Sequence, residues 1–219
     1  MNLALIYLAV ALAAYLLGSI PFGYLAARAK GIDIRRVGSG NIGATNAMRV
    51  LGKPIGIAVL LLDTLKGWAA VKILAVWVIN HLLPLDSLGG SYEVCAVIAG
   101  VGSVLGHNYT CWLKFKGGKG IATTAGVFLA LAPWPLLIAL VVFIVALLLT
   151  KYVSVGSISA AVALPTAVWI LTPQNILLGV VASALGVMAI YKHKGNIQRL
   201  LAGTENRLGK KSSTAEGAK

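Results

Sequence analysis

Charge is scarce in this chain. Only 11% of its 219 residues are Asp, Glu, Lys or Arg, against roughly a quarter in soluble domains. Hydrophobic residues make up 58%, and mean hydropathy is +0.88, which excludes an ordinary water-soluble globule. Acids are scarcer still: 6 Asp and Glu stand against 19 Lys and Arg, a net charge of +13. In a soluble protein that excess would suggest nucleic acid. Set between long apolar runs it reads as the cytoplasmic loops of a membrane protein, which collect Lys and Arg, so lipid headgroups and anionic metabolites are the expected partners and nucleic acid is not. The only cysteines, Cys95 and Cys111, lie near opposite ends of one apolar run. As a helix that run holds them ~24 Å apart, beyond disulfide reach, and they read as packing residues. No Cys/His cluster has metal-ligand spacing, so no metal is expected. Ser39 is in no nucleophile elbow, because Val37 and Asn41 occupy the positions where Gly-x-Ser-x-Gly needs glycine.

What the chain has in quantity is apolar runs near the ~20 residues needed to cross a bilayer. Candidate spans are residues 3–26, 54–81, 93–112, 121–132, 135–150, 154–172 and 174–191. The cations of the first run follow it rather than precede it, which is the wrong polarity for a signal peptide and points the N-terminus outward. The fourth and fifth spans share an uncharged stretch, but Pro133 and Pro135 flank Trp134 in its middle. Proline breaks helices and tryptophan favours the membrane interface, so this stretch reads as two short helices with a tight turn.

Charge placement supports that division. Cations gather in residues 28–53, in Lys114, Lys116 and Lys119, at Lys151 and in the tail from Lys192, whereas residues 82–93 hold two acids and no cation. Seven spans put every basic segment on one side, and six would put the tail on the wrong one. The expected fold is therefore an all-α membrane protein with seven transmembrane helices, N-terminus outside and C-terminus cytoplasmic, two helices short. Residues 1–211 read as a single integral-membrane domain and 212–219 as a disordered polar tail.

Three polar stretches fall on the cytoplasmic side. Gly38-Ser-Gly-Asn-Ile-Gly-Ala-Thr-Asn46, followed by Arg49, can offer an anion backbone and side-chain donors and a bidentate guanidinium. Lys114-Phe-Lys-Gly-Gly-Lys-Gly-Ile-Ala-Thr-Thr124 puts cations and glycines at the mouth of a helix, where backbone N–H groups and partial positive charge favour phosphate. It is not a Walker A loop, since Gly120 follows Lys119 where Ser or Thr is required. The third, Tyr191-Lys-His-Lys-Gly-Asn-Ile-Gln-Arg-Leu-Leu-Ala-Gly-Thr-Glu205, has Ile197, Leu200 and Leu201 at helical spacing, as in an amphipathic surface helix. It also carries His193, Asn196, Thr204 and Glu205, which a plain anchor does not need. Asp63 and Lys66 lie three apart on one helix face, as an ion pair or as part of a site. His107 ends the third span as a weak candidate for general base, and Lys72 receives no role.

These motifs resemble those of the bacterial acyl-phosphate:glycerol-3-phosphate acyltransferases. The residues that carry the resemblance are Ser39-Gly-Asn-Ile-Gly-Ala-Thr-Asn46 with Arg49, Phe115-Lys-Gly-Gly-Lys-Gly-Ile-Ala-Thr123, and His193-x-x-Asn-Ile-x-Arg-Leu-Leu-x-Gly-Thr-Glu205. The resemblance covers roughly residues 3 to 210. Thr110 and Asn206 stand where the family often has proline, which bears on local loop shape. The resemblance implies transfer of a fatty acyl group from acyl phosphate to the 1-hydroxyl of glycerol 3-phosphate, the first acylation of bacterial phospholipid synthesis, at the cytoplasmic (inner) membrane. It implies catalytic roles for Ser39, Arg49, Lys119, His193 and Asn196. Substrate-binding roles fall on Gly40, Asn41, Gly43, Thr45, Asn46, Lys116, Gly117, Gly118, Gly120, Thr123, Thr204 and Glu205. The sequence leaves the oligomeric state open, with a monomer compatible, and either His193 or the substrate's phosphate takes the proton. The alternative is a transporter of a phosphorylated anion, but transporter sites sit near the midplane rather than on one face.

If the charge pattern sets topology, cysteines introduced at Ser87 and Ser212 should label from opposite faces of oriented vesicles. Labelling from one face would contradict the seven-span arrangement.

Overall fold

The computed structural model describes residues 3–82 and 88–208; Ser87 and the 212–219 tail lie outside them. Among the described residues there are eleven α-helices and no strand. The first apolar run forms α1 (Leu3–Gly18) and α2 (Phe22–Arg28), interrupted where Pro21 cannot donate to the helix ladder. Helix α3 (Ala44–Leu51) leads into α4 (Lys53–Ala69). A π-helical segment (Ala70–Ala75) and α5 (Val76–Leu82) continue α4 as one rod. Then come α6 (Leu88–Asn108), α7 (Ile121–Leu131), α8 (Pro133–Thr150), α9 (Val153–Leu171), α10 (Ile176–Lys192) and α11 (Lys194–Leu201).

The break at the proline pair falls where expected, but the two helices beside it are unequal. Pro133 and Pro135 occupy the first turn of α8, where no intrahelical donor is required. They start α8 rather than cut it, so it keeps 18 residues and is long enough to cross a membrane. Only α7, with 11 residues, is short, spanning ~16 Å. Four helical stretches (Leu3–Arg28, Tyr92–Leu113, Pro133–Thr150 and Val153–Leu171) are long and apolar enough to span, and α10 with α11, bent by 52°, forms a fifth candidate. The rod 53–82 carries Asp63, Lys66 and Lys72 and is not among them. This is the architecture of a multi-pass membrane protein. Large apolar side chains such as Leu148, Leu149, Ile170 and Val187 point outward, as lipid contact requires.

Lipid tails are as apolar as leucine, so burial alone does not draw such helices together. Close backbone approach at small residues does. Helix α1 lies on α6 through Gly18 and Gly106: a Cβ on Gly106 would fall 2.1 Å from the Tyr15 carbonyl oxygen, and one on Gly18 2.0 Å from that of Ser103. Helix α7 lies on α4 the same way, through Gly67 and Gly126. The short α7 is thereby held against the long rod, with its N-terminus inside the bundle near its loop-bearing end. The tail segment expected as an amphipathic surface helix is α11, but its Asn196 faces inward and is buried.

Replacing Gly106 with Val should force α1 and α6 apart and lower stability by about 1–3 kcal/mol, read as a lowered unfolding midpoint in detergent. An unchanged midpoint would contradict the close α1–α6 approach.

Candidate active site

The glycine–lysine loop folds back over the C-terminal end of α6. The Gly117 N–H donates to the Asn108 carbonyl at 3.2 Å and the Gly118 N–H to the His107 carbonyl at 3.0 Å. A Cβ on Gly117 would meet the His107 carbonyl oxygen at 2.1 Å, and one on Gly118 would meet His107 Nε2 at 2.1 Å. Gly120 adopts φ +82, a left-handed conformation, beside the Asn108 side chain. Gly117 and Gly118 are therefore required first by contact with α6, and neither lines the cavity described below. Lys114 and Phe115 also adopt positive φ, and the loop is tied by Phe115 N–H to Thr110 O at 3.0 Å and Lys116 N–H to Leu113 O at 3.1 Å. The result aims Lys119 and the open end of α7 into the bundle.

The first polar loop is organised by Asn46, which is 1% exposed. Its Nδ2 donates to the carbonyls of Asn41 (2.9 Å), Val37 (3.1 Å) and Ile34 (3.3 Å), and its Oδ1 accepts from the Ser39 N–H at 2.8 Å. Asn41 Oδ1 accepts from the Gly43 N–H at 2.8 Å. Asn46 and Asn41 thus hold the loop's shape, leaving Ser39 Oγ, Thr45 and Arg49 as its outward-facing chemistry. Arg49 comes from α3 and is exposed at the cavity edge.

The third wall is the bend between α10 and α11. His193 donates from Nδ1 to the Ala189 carbonyl at 2.7 Å, which leaves a lone pair on Nε2. Burial, with the Lys119 charge adding, pushes its imidazole down to about 4, so it is neutral at physiological pH. Asn196 Oδ1 accepts from Lys119 Nζ. Glu205 accepts from Asn196 Nδ2 (2.7 Å), Ser154 Oγ (2.9 Å) and Arg199 Nε (2.7 Å). Burial pushes the Glu205 carboxyl up, but these bonds outweigh it and hold the group below its usual range. Burial pushes Lys119 down to about 8; Glu205 opposes this, and Arg199 and Arg49 add to it.

Together these walls enclose a cavity of about 160 Å³. It brings together Ser39, Asn41, Gly43, Thr45, Asn46, Arg49, Lys119, Gly120, His193, Asn196 and Glu205. The other sequence candidates stand outside it. Lys116 and Thr204 are exposed, Gly40 supplies a left-handed turn at φ +70, and Thr123 is fully buried toward α4. Ser154, Ser157, Asp63, His107 and Phe143 also line the cavity. The two serines sit three apart in an apolar run, the one trace in the sequence that could have marked them. An apolar groove adjoins the cavity, lined by side chains of α7, α8, α9 and α10; Ile121 and Phe143 line both. Among the described residues no three His, Cys, Asp or Glu side chains converge as metal ligands.

A family model described as glycerol-3-phosphate acyltransferase matches residues 8–203. A glycerol-3-phosphate acyltransferase of Geotalea daltonii is 44% identical over 194 residues, 88% of this chain and 93% of that one. That of Geobacter sulfurreducens is 47% identical over 194 residues, 89% of this chain and 93% of the relative. A crystal structure of PlsY (YgiH), an integral membrane glycerol 3-phosphate acyltransferase in its glycerol 3-phosphate form, superposes with a TM-score of 0.80. It is 40% identical, and the match covers 93% of this chain and 96% of that one. The lysophosphatidic acid form superposes with a TM-score of 0.77.

A Lys119 ammonium that titrates near pH 8 makes anion binding pH-dependent. The charged form binds the anion, so affinity should hold below pH 8 and fall as pH rises through it, approaching tenfold per unit. A phosphate monoester loses its second proton at about pH 6, so its own charge stays constant there. Lys119→Arg, charged throughout, should flatten the profile. A flat wild-type profile in a calorimetric titration would contradict this.

Proposed function

The chain belongs to the glycerol-3-phosphate acyltransferase family, and on that premise we propose that it transfers a fatty acyl group from acyl phosphate to the 1-hydroxyl of glycerol 3-phosphate. The products are lysophosphatidic acid and inorganic phosphate. The observation that carries this reading is the junction at Ile121 and Phe143, where a cationic polar cavity meets an apolar groove. A substrate with a phosphate at one end and an alkyl chain at the other fits that junction. The expected setting is a bacterial cytoplasmic membrane, with residues 1–211 as one domain, seven crossings and the cavity facing the cytoplasm.

Lys119, with the N-terminus of α7, holds the phosphate of acyl phosphate, and Arg49 with Ser39 binds beside it. His193 and Asn196 face the glycerol 3-phosphate, with Glu205 fixing Asn196. Gly43, Thr45 and Gly120 shape the wall near the phosphates. Asn41 and Asn46 act through loop structure, as do Gly40, Gly117 and Gly118.

The glycerol hydroxyl oxygen attacks the acyl carbonyl, the carbonyl electron pair moves onto its oxygen, and collapse breaks the bond to the phosphate oxygen. Acyl phosphate is already activated, so no acyl-enzyme is needed. The hydroxyl proton must go to a base. His193 presents a lone pair on Nε2, but an imidazole titrating at about 4 is a poor general base at neutral pH. It accepts a hydrogen bond from the hydroxyl and orients it. The proton passes to a phosphate oxygen of the donor, which lies beside the reacting carbonyl and gains basicity as the bond to the acyl carbon breaks.

Purified protein supplied with acyl phosphate and glycerol 3-phosphate should release phosphate and form lysophosphatidic acid without added metal or cofactor. Equal turnover with acyl-CoA as sole donor would contradict the assignment. Lys119→Ala removes a charge-assisted contact worth about 1.5–3 kcal/mol, so kcat/KM should fall at least tenfold. His193→Gln should mainly raise KM for glycerol 3-phosphate and preserve the pH profile; loss of the acidic limb with unchanged KM would make His193 the base.

A further inference from the structure

Three ionisable residues sit beneath the glycine–lysine loop, all almost wholly buried. Side-chain exposure is 2% for Lys66, 3% for Asp63 and 6% for His107. Burying such groups is costly, and an apolar trio often packs as stably. Lys66 Nζ meets three acceptors: the Ile20 carbonyl at 2.8 Å, His107 Nδ1 at 3.0 Å, and Asp63 Oδ1 as an ion pair at 2.8 Å. The Ile20 carbonyl lies in the break between α1 and α2 that Pro21 creates.

The contact to His107 fixes a proton. A lysine ammonium has donors and no acceptor, so at 3.0 Å the imidazole must present a lone pair on Nδ1. Asp63 Oδ1 stands farther from that nitrogen, at 3.5 Å. The ring is then neutral and carries its hydrogen on Nε2. That nitrogen is the His107 atom nearest to where a Gly118 Cβ would be, and the residue lines the cavity together with Lys119 and Gly120. Among the described residues no protein group accepts from Nε2. The same residue's carbonyl holds the Gly118 N–H, so one residue fixes the loop's backbone and offers it a donor.

We propose that His107 is a further phosphate-binding residue, an Nε2–H donor beside Lys119, and that Lys66, held in place by its ion pair with Asp63, is the positioning residue that locks its tautomer. This rests on the reading of the cavity as a phosphate site. It accounts for the buried ion pair, because without Lys66 the imidazole could place its proton on Nδ1, toward Asp63, and turn a lone pair toward the anion.

The test uses the full chain labelled with ¹⁵N-histidine. It contains three histidines, His81, His107 and His193, so His81→Gln and His193→Gln assign the spectrum. The expected result is a neutral His107 with its proton on Nε2, and a shift of that resonance on titration with inorganic phosphate. A Nδ1–H tautomer, or a resonance indifferent to phosphate, would overturn the proposal. In kinetics, His107→Leu, in protein shown to be folded, should lose tenfold or more in kcat/KM, and His107→Gln, which keeps a donor, should stay near the parent value. Equal losses in both would also overturn it. The tautomer and its phosphate response are read without turnover, so failure to use acyl phosphate would reject the proposed reaction while leaving this inference to its own spectra.

Discussion

Two backbone hydrogen bonds, from Gly117 and Gly118 to the last carbonyls of α6, are the constraint on which the rest of the site depends. The last carbonyls of a helix have no intrahelical partner, and near a bilayer they cannot rely on water. Here a neighbouring loop satisfies them, and its glycines allow it to lie directly on the helix end. Lys119 follows immediately, so its direction is set by that contact. The N-terminus of α7 follows Lys119, and its depth is set by the Gly67 and Gly126 contacts to α4. A flexible basic loop thereby becomes a fixed cation at a fixed helix end.

The acid inside this cationic cavity has a matching purpose. Glu205 gathers Asn196, Ser154 and Arg199, drawing together α9, α11 and the chain beyond it. Arg199 is neutralised by this pairing, whereas Lys119 and Arg49 pair with no carboxylate among the described salt bridges. These two cations that line the cavity are the ones assigned to phosphate. Burial has lowered Lys119 to about 8, and an anion beside it would raise that value again by favouring the charged form.

Much of this was legible in the sequence, because membrane charge bias and glycine–lysine spacing are local signals. The three polar stretches converge on one cavity, and the proline pair does divide the long apolar stretch. What was not legible depends on tertiary approach. Asn46 reads as a ligand in a polar loop, but it bonds to four backbone groups of that loop. Thr123 reads as a phosphate contact at a helix start, but the face of α7 that carries it packs on α4. Length misled at α8, since prolines in a first turn extend a helix rather than shorten it. Ser154 and Ser157 sit in a run whose hydropathy hides them, and Asp63 and His107 acquire meaning only when α4 and α6 are brought together.

Donor and acceptor that occupy one cavity together can react directly. Initial rates measured while both substrates are varied test this with least interpretation. Direct transfer requires a ternary complex, so double-reciprocal lines should intersect. Parallel lines, the mark of an acyl-enzyme formed before glycerol 3-phosphate binds, would contradict the account.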